Sequence, residues 1–336
     1  VLATGSRAKI PNLKGLDEVS YLTNETLFDL RKAPSHLAII GGGPIGLEMA
    51  QAHARLGIKT TLIEINRIML GHERRFVEPV HKSLIDDGVS IVENTFVNRV
   101  EKDKADIKLH LSSGKVLLVS DLLIAAGRVP NIEQLALEQA GVKYNEFGVT
   151  VDRNLRTTNK LVYAIGDIVE GSRFTHTASY HAGIVLKKIL LWLPSKLRTD
   201  HIPQVTYTDP EIASVGMNFE DAVKRFGKKV ERSCVNLKTN DRAITDSKTE
   251  GFVEVLLLGR KVIGCSITSK NAGELISFWA FVIAKNIKIS SINAMIPPYP
   301  TLGELNKRVV SEYYAPKVFG NKLLKYYVGI IQRFFK

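Results

Sequence analysis

Apolar and polar residues follow each other in blocks that predict alternating strands and helices over the first part of the chain. Residues 37–40 form an apolar run with the length of a buried strand, and a helix-like stretch to Leu56 follows. A second apolar run at residues 60–63 comes next. The order strand, turn, helix, strand is typical of a βαβ unit in a parallel sheet.

The pattern changes from Ile202 onward. Residues 251–258 and 261–268 predict two strands, and residues 272–285 predict a helix after them. The sequence therefore predicts an α/β part followed by a smaller α+β domain.

The turn after the first predicted strand carries three glycines at G-x-G-x-x-G spacing: Gly41, Gly43 and Gly46. At this spacing the first glycine permits a tight turn, the second lets the backbone approach a pyrophosphate, and the third allows close packing of helix on strand. Pro44 and Ile45 open the predicted helix, whose N-terminus favours an anion. The motif predicts a dinucleotide site.

An acidic residue, Glu64, follows the second apolar run, where a carboxylate accepts hydrogen bonds from an adenosine ribose. It would repel a 2′-phosphate, so we expect NAD(H) rather than NADP(H). Arg67 keeps NADP(H) open, because a guanidinium pairs with that phosphate. The alternative is a glycine-rich turn that binds no ligand. The order of strand, glycine turn, helix, second strand and acidic residue argues against it.

Composition places the chain among ordinary globular proteins of two or three domains, with 336 residues, 45% hydrophobic and 24% charged. Its apolar runs are far shorter than the roughly 20 residues that cross a bilayer, so we expect a cytoplasmic protein. Cys234 and Cys265 stand too far apart for a CxxC pair, and no metal site is expected.

The net charge of +12 is concentrated near the C-terminus. Residues 307–336 contain seven Lys or Arg and one acidic residue, Glu312, and so carry +6 of that charge. Apolar residues in this segment recur at helical spacing: Leu324, Tyr327, Val328, Ile331, Phe334 and Phe335. Such a helix either packs on its own dimer, which we favour, or makes peripheral contact with a membrane surface. Nucleic-acid binding is not expected.

Further segments follow a recognisable plan. Thr4 and Gly5 end an apparent strand. Residues 122–131 read LLIAAGRVPN, an apolar strand followed by a glycine turn, and residues 162–167 read VYAIGD. Residues 205–216 read VTYTDPEIASVG. Together with the glycine turn they resemble the pyridine nucleotide-disulfide oxidoreductases, the flavoproteins that include dihydrolipoamide dehydrogenase, glutathione reductase and mercuric reductase.

The resemblance implies Rossmann-like, doubly wound FAD- and NAD(P)-binding domains plus a C-terminal α+β dimerisation domain. It implies FAD and NAD as cofactors, a homodimer, and a small-molecule or disulfide electron acceptor. It places Thr4, Gly5, Gly127 and Asp167 beside the FAD, with Asp167 on the ribityl chain. The implied domain boundaries are 1–30 for the end of the FAD domain and linker, 31–126 for the NAD(P)H domain, 127–201 for the return to the FAD domain, 202–315 for dimerisation and 316–336 for a basic tail.

Three residues are implied to be catalytic. Tyr299 stands where disulfide reductases of this family carry a histidine base, and Glu304 stands where its carboxylate partner would be. A phenol, with an ordinary pKa near 10, is a proton donor rather than a base at neutral pH. Glu48 is either close to the nicotinamide and flavin or a carboxylate stabilised by the helix dipole. The resemblance is greatest to mercuric-reductase-like and dihydrolipoamide-dehydrogenase-like members, and the acceptor stays open.

The family's own FAD-binding βαβ unit and its CxxxxC pair are not found in these 336 residues. We therefore expect that they lie in a preceding segment, and that this chain alone holds FAD poorly. The alternative is a split or truncated remnant that binds a nucleotide or dimerises without turnover. The apolar helix at residues 272–285 favours dimerisation, because it offers more apolar surface than one helix face normally buries: Ile276, Phe278, Trp279, Phe281, Val282 and Ile283.

Overall fold

Helices and strands alternate over the first part of the chain in the computed structural model, which describes residues 1–334. The helices are α1 (Pro44–Arg55), α2 (Arg74–Asp86), α3 (Thr175–Ile189), α4 (Phe219–Phe226), α5 (Asp241–Thr245), α6 (Ala272–Ala284), α7 (Glu304–Phe319) and α8 (Lys322–Phe334). The strands are β1 (Ser6–Ala8), β2 (His36–Ile40), β3 (Lys59–Ile63), β4 (Val89–Val92), β5 (Val97–Asp103), β6 (Asp106–Leu111), β7 (Val116–Val119), β8 (Asp121–Ile124), β9 (Arg128–Pro130), β10 (Tyr144–Asn145), β11 (Gly148–Val149), β12 (Gln204–Thr206), β13 (Glu211–Gly216), β14 (Val230–Asn236), β15 (Phe252–Leu258) and β16 (Lys261–Ser269).

These elements form two units. The first contains Val1–Gly71 and Leu84–Thr199, and the second contains His72–Ser83 and the chain from Asp200 onward.

A parallel sheet with strand order β4-β3-β2-β8 is the centre of the first unit. Its strands are apolar on both faces, as in a sheet covered on both sides, and Leu37, Ile39 and Leu62 have no exposed surface. Helix α1 connects β2 to β3, which confirms the predicted βαβ unit. The sheet has the Rossmann-like topology that the sequence predicted.

Smaller sheets complete the first unit. Strands β5, β6 and β7 form an antiparallel sheet, and β1 pairs with β9. The backbone of Leu2 bridges that of Ala164 in parallel, so the start of the chain lies beside the strand-like segment that precedes Asp167. Helix α3 buries Ile184 and Val185 in a cluster with Leu155.

The second unit is built on an antiparallel sheet with strand order β12-β13-β16-β15-β14. The predicted strands and helix of this part are present as β15, β16 and α6, each within one residue of its expected end. Gly251 lies outside β15 because its φ is +110° and a Cβ there would lie 2.0 Å from the Thr268 carbonyl oxygen. Trp279 of α6 is fully buried, and its indole nitrogen donates a hydrogen bond of 2.8 Å to Asn306 Oδ1 of α7.

The chain itself buries much of the apolar surface of α6. Ile276, Trp279, Val282 and Ile283 are buried, whereas Phe281 is 56% exposed. The apolar surface of α6 that is left for a partner chain is therefore smaller than the six residues suggested, and it includes the exposed Phe281.

Two hydrogen bonds hold the part of α2 that belongs to the second unit, and one of them involves the buried carboxylate of Glu254. Glu254 of β15 is buried and accepts a hydrogen bond of 2.5 Å from the Arg75 guanidinium, while the Thr268 hydroxyl donates to the Phe76 carbonyl oxygen over 2.8 Å. The Glu254 hydrogen bond and charge raise the pKa of Arg75 against the opposing effect of its desolvation.

Candidate functional site

The carboxyl ends of three parallel strands meet at one edge of the sheet in the first unit. Ile40, the last residue of β2, pairs with Ile63 of β3 and with Ile124 of β8. The residues that follow, Gly41 and Glu64, therefore lie at the same edge. In open α/β sheets a ligand binds in the crevice outside this edge.

The three motif glycines differ in how much space surrounds them. A Cβ on Gly41 would lie 2.3 Å from the Ala125 carbonyl oxygen, and its φ is +118°. A Cβ on Gly46 would lie 1.8 Å from the Gly41 carbonyl oxygen, so α1 packs directly on the turn. Apart from the adjoining residues 42 and 44, no described residue has an atom within 4 Å of the Cβ position at Gly43. The turn is thus closed at its first and third glycines and open at its second.

Helix α1 begins beside the open glycine. Gly43 is its N-cap residue, with φ −83° and ψ −175°, and Pro44 takes the first helical position, where no amide hydrogen is needed. No side chain among residues 1–334 caps this end. The backbone amides and the positive end of the helix dipole are therefore the groups at this turn that could receive an anion.

The carboxylate of Glu64 is held by backbone amides of the same unit. The Gly42 amide donates to Oε2 over 2.6 Å, and the Asn66 amide donates to Oε1 over 2.9 Å. A side chain on residue 42 would collide with Glu64, since a Cβ there would lie 3.0 Å from Glu64 Cγ. This support, which the sequence did not indicate, fixes the carboxylate next to the glycine turn while each oxygen keeps further lone pairs.

A cavity of about 500 Å³ lies beside α1 in the first unit. Its walls come from separate stretches of the chain: Ala3, Gly5, Ile45, Arg128, Ile165, Gly166, Asp167, Arg173, Phe174, Thr175 and Ala178. Ile45 is in the first turn of α1, and the half-buried Glu48 follows three residues later, one turn along the same helix. The cavity thus places Gly5, Ile45 and Asp167, which were predicted separately, around one space.

Asp167 is part of a charged network on the cavity wall. The Ser6 hydroxyl donates to Asp167 Oδ2 over 2.6 Å, and Arg128 Nε lies 3.7 Å from the same oxygen. Arg128 Nε also donates to the Ser6 hydroxyl over 2.7 Å. The network holds the carboxylate in place, and sequence reasoning identified only its acidic member.

Thr4, Gly5 and Gly127 lie where the start of the chain meets the segment after β8. The Thr4 hydroxyl donates to the Asn131 carbonyl oxygen over 2.7 Å, and the Asn131 side-chain amide donates back to the Thr4 carbonyl over 2.9 Å. Gly5 and Gly127 have φ of +71° and +109°, and beyond their chain neighbours no described residue has an atom within 4 Å of either Cβ position. Both glycines are therefore required by backbone conformation rather than by packing.

Three buried polar atoms between residues 172 and 177 have no hydrogen-bond partner among the described residues. They are Ser172 Oγ, Arg173 Nε and Thr177 Oγ1. Of these residues, Arg173 lines the cavity. Leaving its Nε without a partner costs about 1–3 kcal/mol, so a polar ligand that reaches it would fit this wall. Ser172 and Arg173 had no distinctive sequence signal.

The second unit places Tyr299 against Asp241. The Tyr299 hydroxyl donates to Asp241 Oδ2 over 2.9 Å, and this hydrogen bond raises the pKa of the phenol above its ordinary value. The side chain of Tyr299 is 71% exposed. Glu304, at the start of α7, accepts instead from the Thr301 amide over 3.3 Å. The carboxylate hydrogen-bonded to Tyr299 is therefore Asp241, which the sequence did not indicate.

A smaller cavity of about 250 Å³ lies next to this pair in the second unit. It is lined by Thr239, Asn240, Asp241, Pro297, Glu304, Lys307, Arg308 and Ser311. Asp241 and Glu304 thus share one cavity wall with two cationic side chains.

The cysteines do not form a reactive pair. Cys265 is fully buried, and burial raises its pKa well above the ordinary value for a thiol. Among residues 1–334 no group of three or more His, Cys, Asp or Glu side chains has the arrangement of a metal site.

Comparison with known proteins defines the class. Residues 1–182 match the sequence profile described as "Pyridine nucleotide-disulphide oxidoreductase", and residues 202–309 match the profile of that family's dimerisation domain. The chain therefore belongs to the pyridine nucleotide-disulfide oxidoreductase family, as the sequence analysis predicted. Enzymes of this family use FAD and NAD(P)H, and the chain carries a dimerisation domain.

Named relatives come from two branches of the family. The mercuric reductase of Bacillus cereus is 33% identical over 311 residues, which is 90% of this chain and 49% of the relative. The dihydrolipoyl dehydrogenase of Geobacillus stearothermophilus is 33% identical over 313 residues, covering 91% of this chain and 66% of the relative. The chain thus spans about half to two thirds of the length of these relatives.

Solved structures confirm the fold. The HOCl-induced flavoprotein disulfide reductase RclA of Escherichia coli, solved as a Cu(II) complex, matches with a TM-score of 0.82 and 27% identity over 91% of this chain and 72% of that protein. LpdA of Mycobacterium tuberculosis matches with a TM-score of 0.85 and 25% identity over 93% of this chain and 68% of that protein.

Proposed function

We propose that this chain is the NAD(H)-binding and dimerising part of an FAD-dependent oxidoreductase, in which hydride passes from NAD(H) to FAD and electrons pass on to a disulfide, a metal ion or another small acceptor. The observation that carries the proposal is the glycine turn, which is closed at Gly41 and Gly46 and open at Gly43. A turn of this shape, at the N-terminus of an uncapped helix, suits a pyrophosphate. NAD(H) chemistry of this kind agrees with the expected cytoplasmic location.

The preference for NAD(H) follows from Glu64. Backbone amides of Gly42 and Asn66 hold its carboxylate at the sheet edge, where its remaining lone pairs can accept from ribose hydroxyls. A 2′-phosphate at that point would meet a fixed negative charge. Arg67 is the nearby cation that would have to compensate it for NADP(H) to bind well.

The larger cavity fits part of an FAD molecule. Asp167, held by Ser6 and Arg128, would accept hydrogen bonds from ribityl hydroxyls. The open Cβ positions at Gly5 and Gly127 leave room for a ligand close to the backbone, with Thr4 beside them. The uncapped N-terminus of α3 offers amides and a positive dipole end to an electron-rich ring oxygen.

Tyr299 would serve as a proton donor in the active site of a homodimer, and Asp241 would hold its hydroxyl. At neutral pH the phenol is protonated, because its pKa is raised further by Asp241. Glu304, on the same cavity as Asp241, would contribute charge rather than bind the hydroxyl. Glu48 would lie beside the nicotinamide, since Ile45 on the same helix lines the larger cavity.

Calorimetric titration of the chain with NADH and with NADPH tests the cofactor assignment. We expect NADH to bind at least tenfold more tightly, a difference of about 1.4 kcal/mol. Arg67→Gln is the matched control and should leave NADH binding unchanged. Tenfold tighter NADPH binding that Arg67→Gln abolishes would show that Arg67, and not Glu64, sets the preference.

A further inference from the structure

Helix α8 follows α7 outside residues 202–309, which match the family's dimerisation domain. None of its residues, Lys322–Phe334, is buried by the rest of the described chain. At 13 residues and about 1.5 Å per residue, α8 is about 20 Å long. None of the helices in residues 1–334 is long and apolar enough to cross a membrane.

The two faces of α8 differ sharply. At 100° per residue, one side carries Leu323, Leu324, Tyr327, Val328, Ile330, Ile331 and Phe334. The opposite side carries Lys322, Lys325, Tyr326, Gln332 and Arg333. The apolar side chains are 37–82% exposed, from Ile331 to Phe334, except for the half-buried Ile330. Phe335 and Lys336, which the sequence pattern includes, lie outside the described residues.

All the charge on this helix is positive. No acidic residue follows Glu312 in the sequence, so Lys322, Lys325 and Arg333 have no carboxylate on their own helix. In a pair of chains joined through these apolar faces, the cations would lie on the outer sides, with no carboxylate of the paired helices to neutralise them. Anionic lipid headgroups would instead neutralise the cations while the acyl region buries the apolar face.

We propose that α8 is a membrane-surface helix that lies in the interface of an anionic lipid bilayer, with its Leu323–Phe334 side in the acyl region and its lysines at the headgroups. The inference is independent of the nucleotide site, and it departs from the expectation that this helix packs on its own dimer. The exposed face and the charge of α8 support it together.

Flotation of the 336-residue chain with vesicles tests the proposal. The chain should float with vesicles of equal parts phosphatidylglycerol and phosphatidylcholine, and flotation should fall with added salt. It should bind vesicles of phosphatidylcholine alone at least tenfold more weakly. Lys322→Gln with Lys325→Gln should weaken binding about fivefold per lysine.

Apolar variants and matched controls complete the test. Leu323→Ser with Phe334→Ser should reduce vesicle binding about tenfold or more. The serines remove apolar surface whose transfer from water into the acyl region would stabilise the bound helix. Lys228→Gln with Lys229→Gln, and Leu161→Ser, which changes a side chain that is 90% exposed, should leave it unchanged. Calorimetric NADH affinity should be the same in all of these variants.

Two results would overturn the proposal. One is a chain that fails to float with the anionic vesicles, or that floats equally after the α8 substitutions. The other is a sedimentation experiment without lipid in which Leu323→Ser with Phe334→Ser dissociates an oligomer, because the apolar face would then be covered by a second copy of the chain.

Discussion

Adding a methyl group at two glycines of the same turn should separate folding from ligand binding. Gly43→Ala places a Cβ where no described residue other than its chain neighbours has an atom within 4 Å, on a backbone with φ −83° that any residue adopts. Gly46→Ala places a Cβ 1.8 Å from the Gly41 carbonyl oxygen, far inside van der Waals contact. The first change should affect the ligand, and the second should affect the protein.

The magnitudes follow from these surroundings. At Gly43, alanine is a poorer N-cap and destabilises the helix by about 0.5–1 kcal/mol. Alanine also lowers the conformational entropy of the unfolded chain, which stabilises the folded protein by about 0.4–1 kcal/mol. The two effects nearly cancel, so the free energy of unfolding should barely change. NADH should bind at least tenfold more weakly, since the methyl group takes the space of a phosphate oxygen. At Gly46, α1 must move away from the turn, which should destabilise the first unit by about 1–3 kcal/mol.

Urea denaturation and calorimetric NADH titration of both variants provide the test. We expect Gly43→Ala to keep the wild-type unfolding midpoint and lose NADH affinity, and Gly46→Ala to unfold at lower urea. NADH binding of wild-type strength in a folded Gly43→Ala protein would refute the assignment of this turn to the pyrophosphate.

Three further predictions concern other parts of the chain. Glu64→Gln should weaken NADH binding about tenfold by calorimetry, because its NH2 group cannot replace the carboxylate oxygen that accepts from the Gly42 or the Asn66 amide; equal affinity would remove Glu64 from the site. Asp241→Asn should lower the pKa of Tyr299, measured by ultraviolet titration against the double variant with Tyr299→Phe, because the phenolate would no longer face a carboxylate; an unchanged pKa would show that the pair does not form in solution. Burial lowers the pKa of His181, so the stability that its neutral form contributes is present above the ordinary value near 6.5 and is lost as the pH falls from there through the lowered pKa; thermal unfolding from pH 8 to 5 should show a smaller loss in His181→Asn, and an identical loss would contradict this.

Local features of the sequence were sufficient to predict the shape of the glycine turn. The apolar strand, the glycine spacing and the first turn of α1 are adjacent in the chain, and the steric demands at Gly41 and Gly46 are those that the spacing implies. Strands β15 and β16 and helix α6 were predicted for the same reason, since their apolar patterns are strong and continuous.

Contacts between distant residues could not be predicted. Asp241 hydrogen-bonds Tyr299 across 58 positions, and nothing in the local pattern distinguishes it from other acidic residues. The resemblance to the family pointed to Glu304 instead, which accepts from the Thr301 amide. The exact domain boundaries and the roles of the site residues stay predictions.

Reduction of a bound flavin by NADH tests the central claim most directly. The native gene product, with any segment that supplies the FAD-binding βαβ unit, would be isolated from its own cells and mixed anaerobically with NADH while the flavin absorbance is recorded. We predict one flavin per polypeptide of that product, which NADH bleaches at least tenfold faster than the same concentration of NADPH, whereas the 336-residue chain alone should hold FAD poorly. A protein without flavin, or one whose flavin stays oxidised in excess NADH, would contradict the account.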